Sequence, residues 1–302
     1  MSTTLDRPPA EPDALPPMQL NPGRTWRGTK SAIASVLMFT CFLLALIPLV
    51  FVLFDVLRKG LSVMSLDFLT EDIPTQARSE GPGIGPAIVG TIVITAWATI
   101  MAVPLGLLGA IYLHEYGGKG RLAAVIRFMA NVMTGVPSIV MGLFIYLVWT
   151  LVFGLEGFGG ALALACLMLP VVIRSTEEML RLVPNALREG SYALGTTKSR
   201  TVMTVVLPAA LPGIVSGCLL AVARAAGETA PLLFTIGAAR SANWNVFDGP
   251  NTALSVQIFR NATLPFVGAQ DRAWGAALTL ILMTFLFTVI ARLVSARFAL
   301  KR

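Results

Sequence analysis

Long apolar runs alternate with polar connections along most of this chain. The first run, Ser31 to Leu57, follows a polar stretch, residues 1–30, that carries Pro8-Pro9, Pro12, Pro16-Pro17 and Pro22. A Pro-rich polar stretch has too little apolar surface to bury and reads as a disordered tail. The run behind it is far longer than the ~7–15 apolar residues of a signal peptide and lacks a small-residue cleavage pattern, so it reads as a retained membrane helix. Polar residues 58–85 end in Gly81-Pro82-Gly83-Ile84-Gly85-Pro86, a strong break. The second run is Ala87 to Leu113. The third region contains Arg127, Asn131 and Pro137, which predicts an approach helix over 121–134 and a span from about Pro137 to Phe153. Gly154 to Gly160 reads as a turn. The fourth run, Ala161 to Ile173, reaches the ~20 residues of a bilayer crossing only by starting near Leu155 or by carrying Arg174 into the membrane. Residues 174–212 are polar with helical periodicity. A fifth span is predicted over Pro212 to Ile236, a polar segment over 237–272, and a sixth span from Trp274 to about Leu293.

Composition supports this reading. Hydrophobic residues make up 55% of the 302 and charged residues 13%, about half the charge of an ordinary soluble domain. That excludes a disordered chain, a disulfide scaffold and a typical soluble enzyme. The net charge of +7 would suit nucleic acid, but its distribution explains it otherwise. Sixteen of the 23 Lys and Arg fall in one set of connections, six in the other, and Arg224 lies within a span. The positive-inside rule then places both termini in the cytoplasm, with no nucleic-acid partner implied. Cys41, Cys166 and Cys218 lie in apolar runs without metal-ligand spacing, and the lone His114 reads as an interfacial polar residue.

The connection 174–212 carries the first motif. Glu189-Gly190-Ser191 is followed after three residues by Gly195, and after nine more by Val205, then Leu207-Pro208. This order resembles the EAA loop of type I ABC importer permeases, with Gly190 and Ser191 where the family usually has alanines. The resemblance implies two short helices joined at Gly195, which dock into a separate ATPase subunit. Pro184 suits a helix start and Gly195 a sharp turn. Exposed Tyr192, Leu194 and Val206 would offer a partner a small apolar patch. The competing reading is an amphipathic helix on the membrane surface, which Arg188, Lys198 and Arg200 would also suit. Gly190 and Gly195 imitate a P-loop, but Thr196-Thr197 separates Gly195 from Lys198-Ser199 and no strand precedes it. The chain is therefore expected to bind no cofactor, with ATP and Mg used by a partner ATPase.

Arg224 and Glu228 stand inside the fifth predicted span. A charge at the centre of a membrane helix costs ~2.5–3.5 kcal/mol on insertion scales, so such residues serve pairing, packing or a transport path. Four residues apart, they share a helix face. Around them, Arg224-Ala225-Ala226-Gly227-Glu228-Thr229-Ala230-Pro231-Leu232-Leu233-Phe234-Thr235 resembles the signature of the A-type membrane subunit of phosphate ABC importers, the Pst system. Gly135-Val136-Pro137-Ser138, Leu169-Pro170 with Ile173-Arg174-Ser175-Thr176-Glu177-Glu178, and Pro265 with Ala273-Trp274-Gly275-Ala276 agree with it. Arg224, Glu228 and Thr229 are the candidate phosphate-path residues, because an oxyanion suits the planar donor fork of arginine. Arg174 is a second candidate; its alternative is a snorkelling loop arginine. Gly213 and Gly217 form a small-xxx-small pattern that permits close helix approach, and Pro104 and Pro137 read as kinks.

The expected fold is an all-α, six-span integral membrane protein of the MetI-like permease type. Its expected parts are a tail over 1–30, a first helix over 31–57, an extracytoplasmic segment over 58–85, the permease domain over 86–296 with a coupling loop at about 184–208, and a cytoplasmic C-terminus over 297–302. The resemblance implies a bacterial cytoplasmic-membrane location and four partners besides lipid: a homologous PstC-type permease, two copies of a PstB-type ATPase and a PstS-type phosphate-binding protein. A permease for another oxyanion or small solute would keep the loop and change the fifth span. A secondary transporter or channel would need inverted repeats, which the sequence does not display.

Overall fold

The computed structural model describes residues 26–78, 83–118 and 120–299. Most of the expected tail, together with Lys119 and residues 300–302, lies outside them. The described residues up to Val52 and those from Leu53 onward fall in two compact units. The described part of the first is the leading portion of α1 (Trp26–Val63), a mostly apolar helix with Pro48 inside. It starts five residues before Ser31, where the tail was expected to continue.

The second unit begins with the end of α1 and α2 (Leu66–Thr70). Next comes α3 (Gly85–Ile111), prolonged by a π-helical turn at Tyr112–Tyr116. Then α4 (Arg121–Gly135) precedes α5 (Ser138–Ile145), a π-helical turn at Tyr146–Thr150 and the short α6 (Leu151–Phe153). The chain reverses at Gly154, whose φ of +94° suits glycine, and returns as α7 (Gly157–Arg181). After α8 (Asn185–Ala193), α9 (Lys198–Thr201) runs through a third π-helical turn, Val202–Val206, into α10 (Leu207–Ala226). Three short or long helices complete the fold: α11 (Ala230–Thr235), α12 (Leu254–Ala262) and α13 (Val267–Ala299).

Five helices have the length and hydropathy of membrane spans: Gly28–Val63, Gly85–Tyr116, Gly157–Arg181, Lys198–Ala226 and Val267–Ile290. The sixth is the bent pair Arg121–Gly135 and Ser138–Phe153, which turn 107° at Val136-Pro137. The approach helix and its span thus fall where Pro137 predicted them. The fourth span combines the two expected routes to sufficient length: it starts at Gly157, close to Leu155, and carries Arg174 inside the helix.

The fifth span departs from expectation at both ends. It starts at Lys198 rather than Pro212, so the second of the two short helices expected around Gly195 is no separate element but the first turns of the span. It stops at Ala226 rather than Ile236, and Gly227, Glu228 and Thr229 are non-helical before α11. Gly227 weakens the helix, and Pro231 lacks the N–H that a continuing helix would need and clashes with the carbonyl four residues back.

Small residues let these helices meet closely. Along α3, Ala98, Ala102 and Gly106 are buried against Leu164, Met168 and Val172 of α7. A Cβ on Gly106 would stand 2.6 Å from Val172 Cγ1. Gly213 and Gly217 of α10 rest on Met179 and Ser175 of α7, and a Cβ at Gly217 would lie 2.7 Å from Ser175 Oγ. The small-xxx-small pattern therefore marks a helix contact.

The end of the bundle near α12 is stitched by polar groups. Asn251 and Thr252 are fully buried. The Leu254 N–H donates to Thr91 Oγ1 at 2.9 Å, Gln257 Nε2 to Thr252 Oγ1 at 2.9 Å, and Asn261 Nδ2 to Gln257 Oε1 at 3.1 Å. Gly90 makes the approach possible, since a Cβ there would run into the Thr252 carbonyl. Gly90→Ala should therefore lower the thermal unfolding midpoint in detergent, by about 1–3 kcal/mol in stability, the usual scale of overpacking. Gly190→Ala, with nothing near its added Cβ, should hold the midpoint or raise it. Equal midpoints for both variants would refute the close approach at Gly90.

Candidate functional site

The break after α10 builds the site. Where the helix stops, the N–H groups of Gly227 and Glu228 close back onto the carbonyls of Arg224 and Ala225, both at 3.1 Å. The Glu228 carbonyl accepts the Ser255 hydroxyl of α12 at 2.8 Å. The carboxylate then comes within 3.9 Å of Arg224 Nε. The pair is real, but it is not the helix-face pair predicted from the spacing, because residue 228 lies beyond the helix. Both side chains line a cavity of about 280 Å³. Its other walls are Thr134 at the end of α4, Pro137 and Ser138 at the 107° bend, and Met168, Pro170 and Val171 of α7. The bend at Pro137 and Glu228, just past the end of α10, therefore face one space, together with Pro170 inside the unbroken α7. Gly142 supports it from behind, since a Cβ there would lie 2.5 Å from the Pro231 Cα of α11.

The remaining candidates are placed separately. Thr229 is outside the cavity wall; its carbonyl accepts the N–H groups of Leu232 and Leu233 at 3.2 Å each. Arg174 lies one turn beyond Val171 on α7 and opens into a second cavity, where it donates to Asn131 Oδ1. The structure thus joins Arg224 with Glu228 and leaves Arg174 apart from them.

The α8 turn forms the other candidate region. Glu189 and Gly190 are exposed on α8, and Gly195 has φ +75° with open space around it. Ser191 is buried. Its Oγ meets Thr196 Oγ1 at 2.7 Å and Thr201 Oγ1 at 2.9 Å, closing the turn. Val205 and Leu207 are half-buried, and Pro208 is exposed in the first turn of α10. Tyr192 and Leu194 are exposed as expected, Leu194 at 86%. Val206 is not: it is fully buried in the main core, because the π-helical turn points it inward.

Sequence reasoning missed what fastens this turn to the bundle. Arg188 donates to the carbonyls of Val183 at 2.6 Å and Leu180 at 3.0 Å, and to Glu115 Oε1 at 3.1 Å. His114 Nε2 lies 3.3 Å from the same guanidinium. Lys198 reaches the Glu115 carbonyl and stands 5.0 Å over the Tyr116 ring. Arg188 and Lys198 are thus not lipid-facing charges but two grips on the turn that ends α3. Arg127 similarly ties α4 to α7 through Glu177 at 3.0 Å and to the Leu113 carbonyl at 2.9 Å. A pairing between residues 73 apart has no signature in local spacing.

Residues 102–300 match the family of binding-protein-dependent transport system inner membrane components. The chain is 45% identical over 284 residues to the phosphate transport system permease protein PstA of Mycobacterium leprae, covering 93% of this chain and 91% of that one. It is 42% identical over 276 residues to the PstA protein of Yersinia pestis, covering 91% and 92%. Among solved structures, the inward-facing MetNI methionine ABC transporter superposes with a TM-score of 0.57 at 17% identity, over 72% of this chain and 94% of that one. A bacterial alginate ABC transporter gives 0.59 at 13% identity, over 91% and 98%. Similarity of that order speaks for the fold alone. The architecture of bent and broken spans, its solved neighbours and the identity to these relatives agree: the chain belongs to the binding-protein-dependent transport inner-membrane family and, within it, to the PstA-type permeases.

Proposed function

We propose that this chain is a permease subunit of an ATP-driven phosphate importer, with Arg224 and Glu228 lining the path. The observation that carries the reading is the ion pair at the broken end of α10, opening into a cavity that it shares with the bend at Pro137 and with α7. Non-helical backbone at membrane depth is tolerated where it lines a cavity, and ionisable side chains there mark a pathway. The phosphate assignment draws on the relatives, whose names describe phosphate transport permeases.

The chemistry follows from the pair. Arg224 presents a planar fork of N–H donors to an oxyanion. Glu228 accepts a hydrogen bond from a protonated oxygen and repels an unprotonated dianion. Phosphate near neutral pH carries at least one proton, and sulfate carries none. A homologous PstC-type permease would complete the path, and a PstS-type binding protein would deliver phosphate from outside. The excess of Lys and Arg in one set of connections supports both termini in the cytoplasm. On that orientation α8 faces the cytoplasm, where Glu189, Gly190, Tyr192 and Leu194 are exposed for a PstB-type ATPase, two copies of which would use ATP and Mg. Thr229 holds the turn that aims Glu228.

Uptake into proteoliposomes tests the site. Arg224→Ala should abolish uptake, and Arg224→Lys should restore little of it, because a point charge cannot reproduce the fork. Should Arg224→Ala combined with Glu228→Ala transport normally, the pair would only neutralise itself and the reading would fall. Glu228→Gln should raise inhibition by sulfate about tenfold, since an unpaired buried polar group costs ~1–3 kcal/mol. The check is competition in proteoliposomes with a binding protein that admits both anions, and an unchanged ratio would remove Glu228 from selection.

Gly195 tests the docking role. Its φ of +75° suits glycine, and a β-branched side chain there is strained. Gly195→Val should insert into membranes normally while ATP hydrolysis continues without uptake. Normal uptake by this variant would reject α8 and its turn as the coupling element.

A further inference from the structure

Arg174 is the starting point. It lies three residues beyond Val171 of the Arg224 cavity on α7, about 4.5 Å along the helix toward α8 at 1.5 Å per residue. There it shares a separate cavity of about 130 Å³ with Asn131, Arg127, Glu177 and Arg181. Three guanidiniums thus surround one carboxylate. Glu177 already holds Arg127 at 3.0 Å and Arg181 at 3.8 Å. Among the described residues Arg174 has no carboxylate partner; its bond goes to the neutral amide oxygen of Asn131. Glu178, one turn on, makes no ion pair with it among the described residues. The cavity therefore carries an excess of two positive charges beside a neutral amide that can donate through its nitrogen.

We propose that Arg174, Arg181 and Asn131 form a second phosphate-oxyanion site at the α8 end of α7, separate from the Arg224 cavity. The excess charge equals that of a hydrogen phosphate dianion, and the planar donors of two arginines suit its oxygens. Inorganic phosphate as the occupant rests on the transport reading above, in which this is the last anion site before release. The same chemistry fits a lipid phosphate. α4 turns 107° from α5 and exposes Leu122, Val125, Phe128 and Met129, so the cavity lies beside an apolar surface that acyl chains would cover.

The experiment uses the intact importer, isolated by a tag on this chain in nonionic detergent and freed of lipid. Equilibrium binding of radiolabelled inorganic phosphate is compared for the native protein, Arg174→Gln, Arg174→Lys, Arg181→Gln and Arg224→Gln. Arg181 has a side chain 71% exposed, so its replacement leaves the fold intact even if Arg174→Gln unfolds. Arg174→Gln and Arg181→Gln should each weaken one class of bound phosphate about tenfold and spare the class lost in Arg224→Gln. Arg174→Lys should weaken it less, retaining charge without the fork. Native mass spectrometry of the same variants then measures retained phosphatidylglycerol against diacylglycerol, which has no phosphate. Loss of phosphatidylglycerol with unchanged phosphate binding would support the site and assign it to lipid. No loss of either ligand in Arg174→Gln and Arg181→Gln would overturn it. Unchanged phosphate binding in Arg224→Gln alone would overturn the central site and leave this one standing.

Discussion

A membrane interior supplies no water to an exposed backbone, and the rest of this structure depends on how the chain meets that constraint where α10 stops. Each unpaired peptide group in hydrocarbon costs several kcal/mol. At Gly227–Thr229 four of these groups find partners: two N–H groups close onto the last carbonyls of the helix, the Glu228 carbonyl takes the Ser255 hydroxyl, and the Thr229 carbonyl starts α11. Ser255 stands on α12, so the break is held by an element from the far end of the bundle. The polar stitching of α12 to Thr91 and Thr252 then has a consequence beyond stability. It fixes the helix that fixes the turn that aims Glu228.

Side-chain size carries the second part of the design. Helices in lipid gain little from burying apolar surface against one another, so contact must come from close packing. Gly106 against Val172 and Gly217 against Ser175 give α7 two neighbours at short range, α3 and α10. α7 is thereby the centre of the second unit, and both cavities open along it.

Much of this was legible in the chain. Apolar runs, Pro137 and the basic connections gave the spans, the approach helix and the expected sidedness. The Glu189–Gly195 part of the loop motif fell on a helix and a left-handed glycine, as its resemblance to the EAA loop implied. The failures have physical causes. Hydropathy runs on through residues 212–236 and hides a backbone break, although Gly227 and Pro231 signalled one. Val206 was placed outside because helical periodicity does not foresee the register shift of a π-helical turn. Arg188 and Lys198 looked like surface charges because their partner, Glu115, belongs to a different helix.

The same details explain how one region could act on the other. Lys198 through Ala226 is a single helical rod, interrupted only by the π-helical turn, and about 43 Å long at 1.5 Å per residue. One end abuts the Gly195 turn and the other carries Arg224. At the first end, Lys198 and Arg188 also grip Glu115 at the close of α3. A displacement of α8 is therefore passed on to α10 and α3 together. α7 packs against both, with glycines at the contacts. Arg224 stands on the α10 rod, whereas Arg174 stands on α7. On the transport role proposed above, opening and closing the path would change the offset between these two helices, and the break at Gly227 separates α10 from α11, which packs on Gly142.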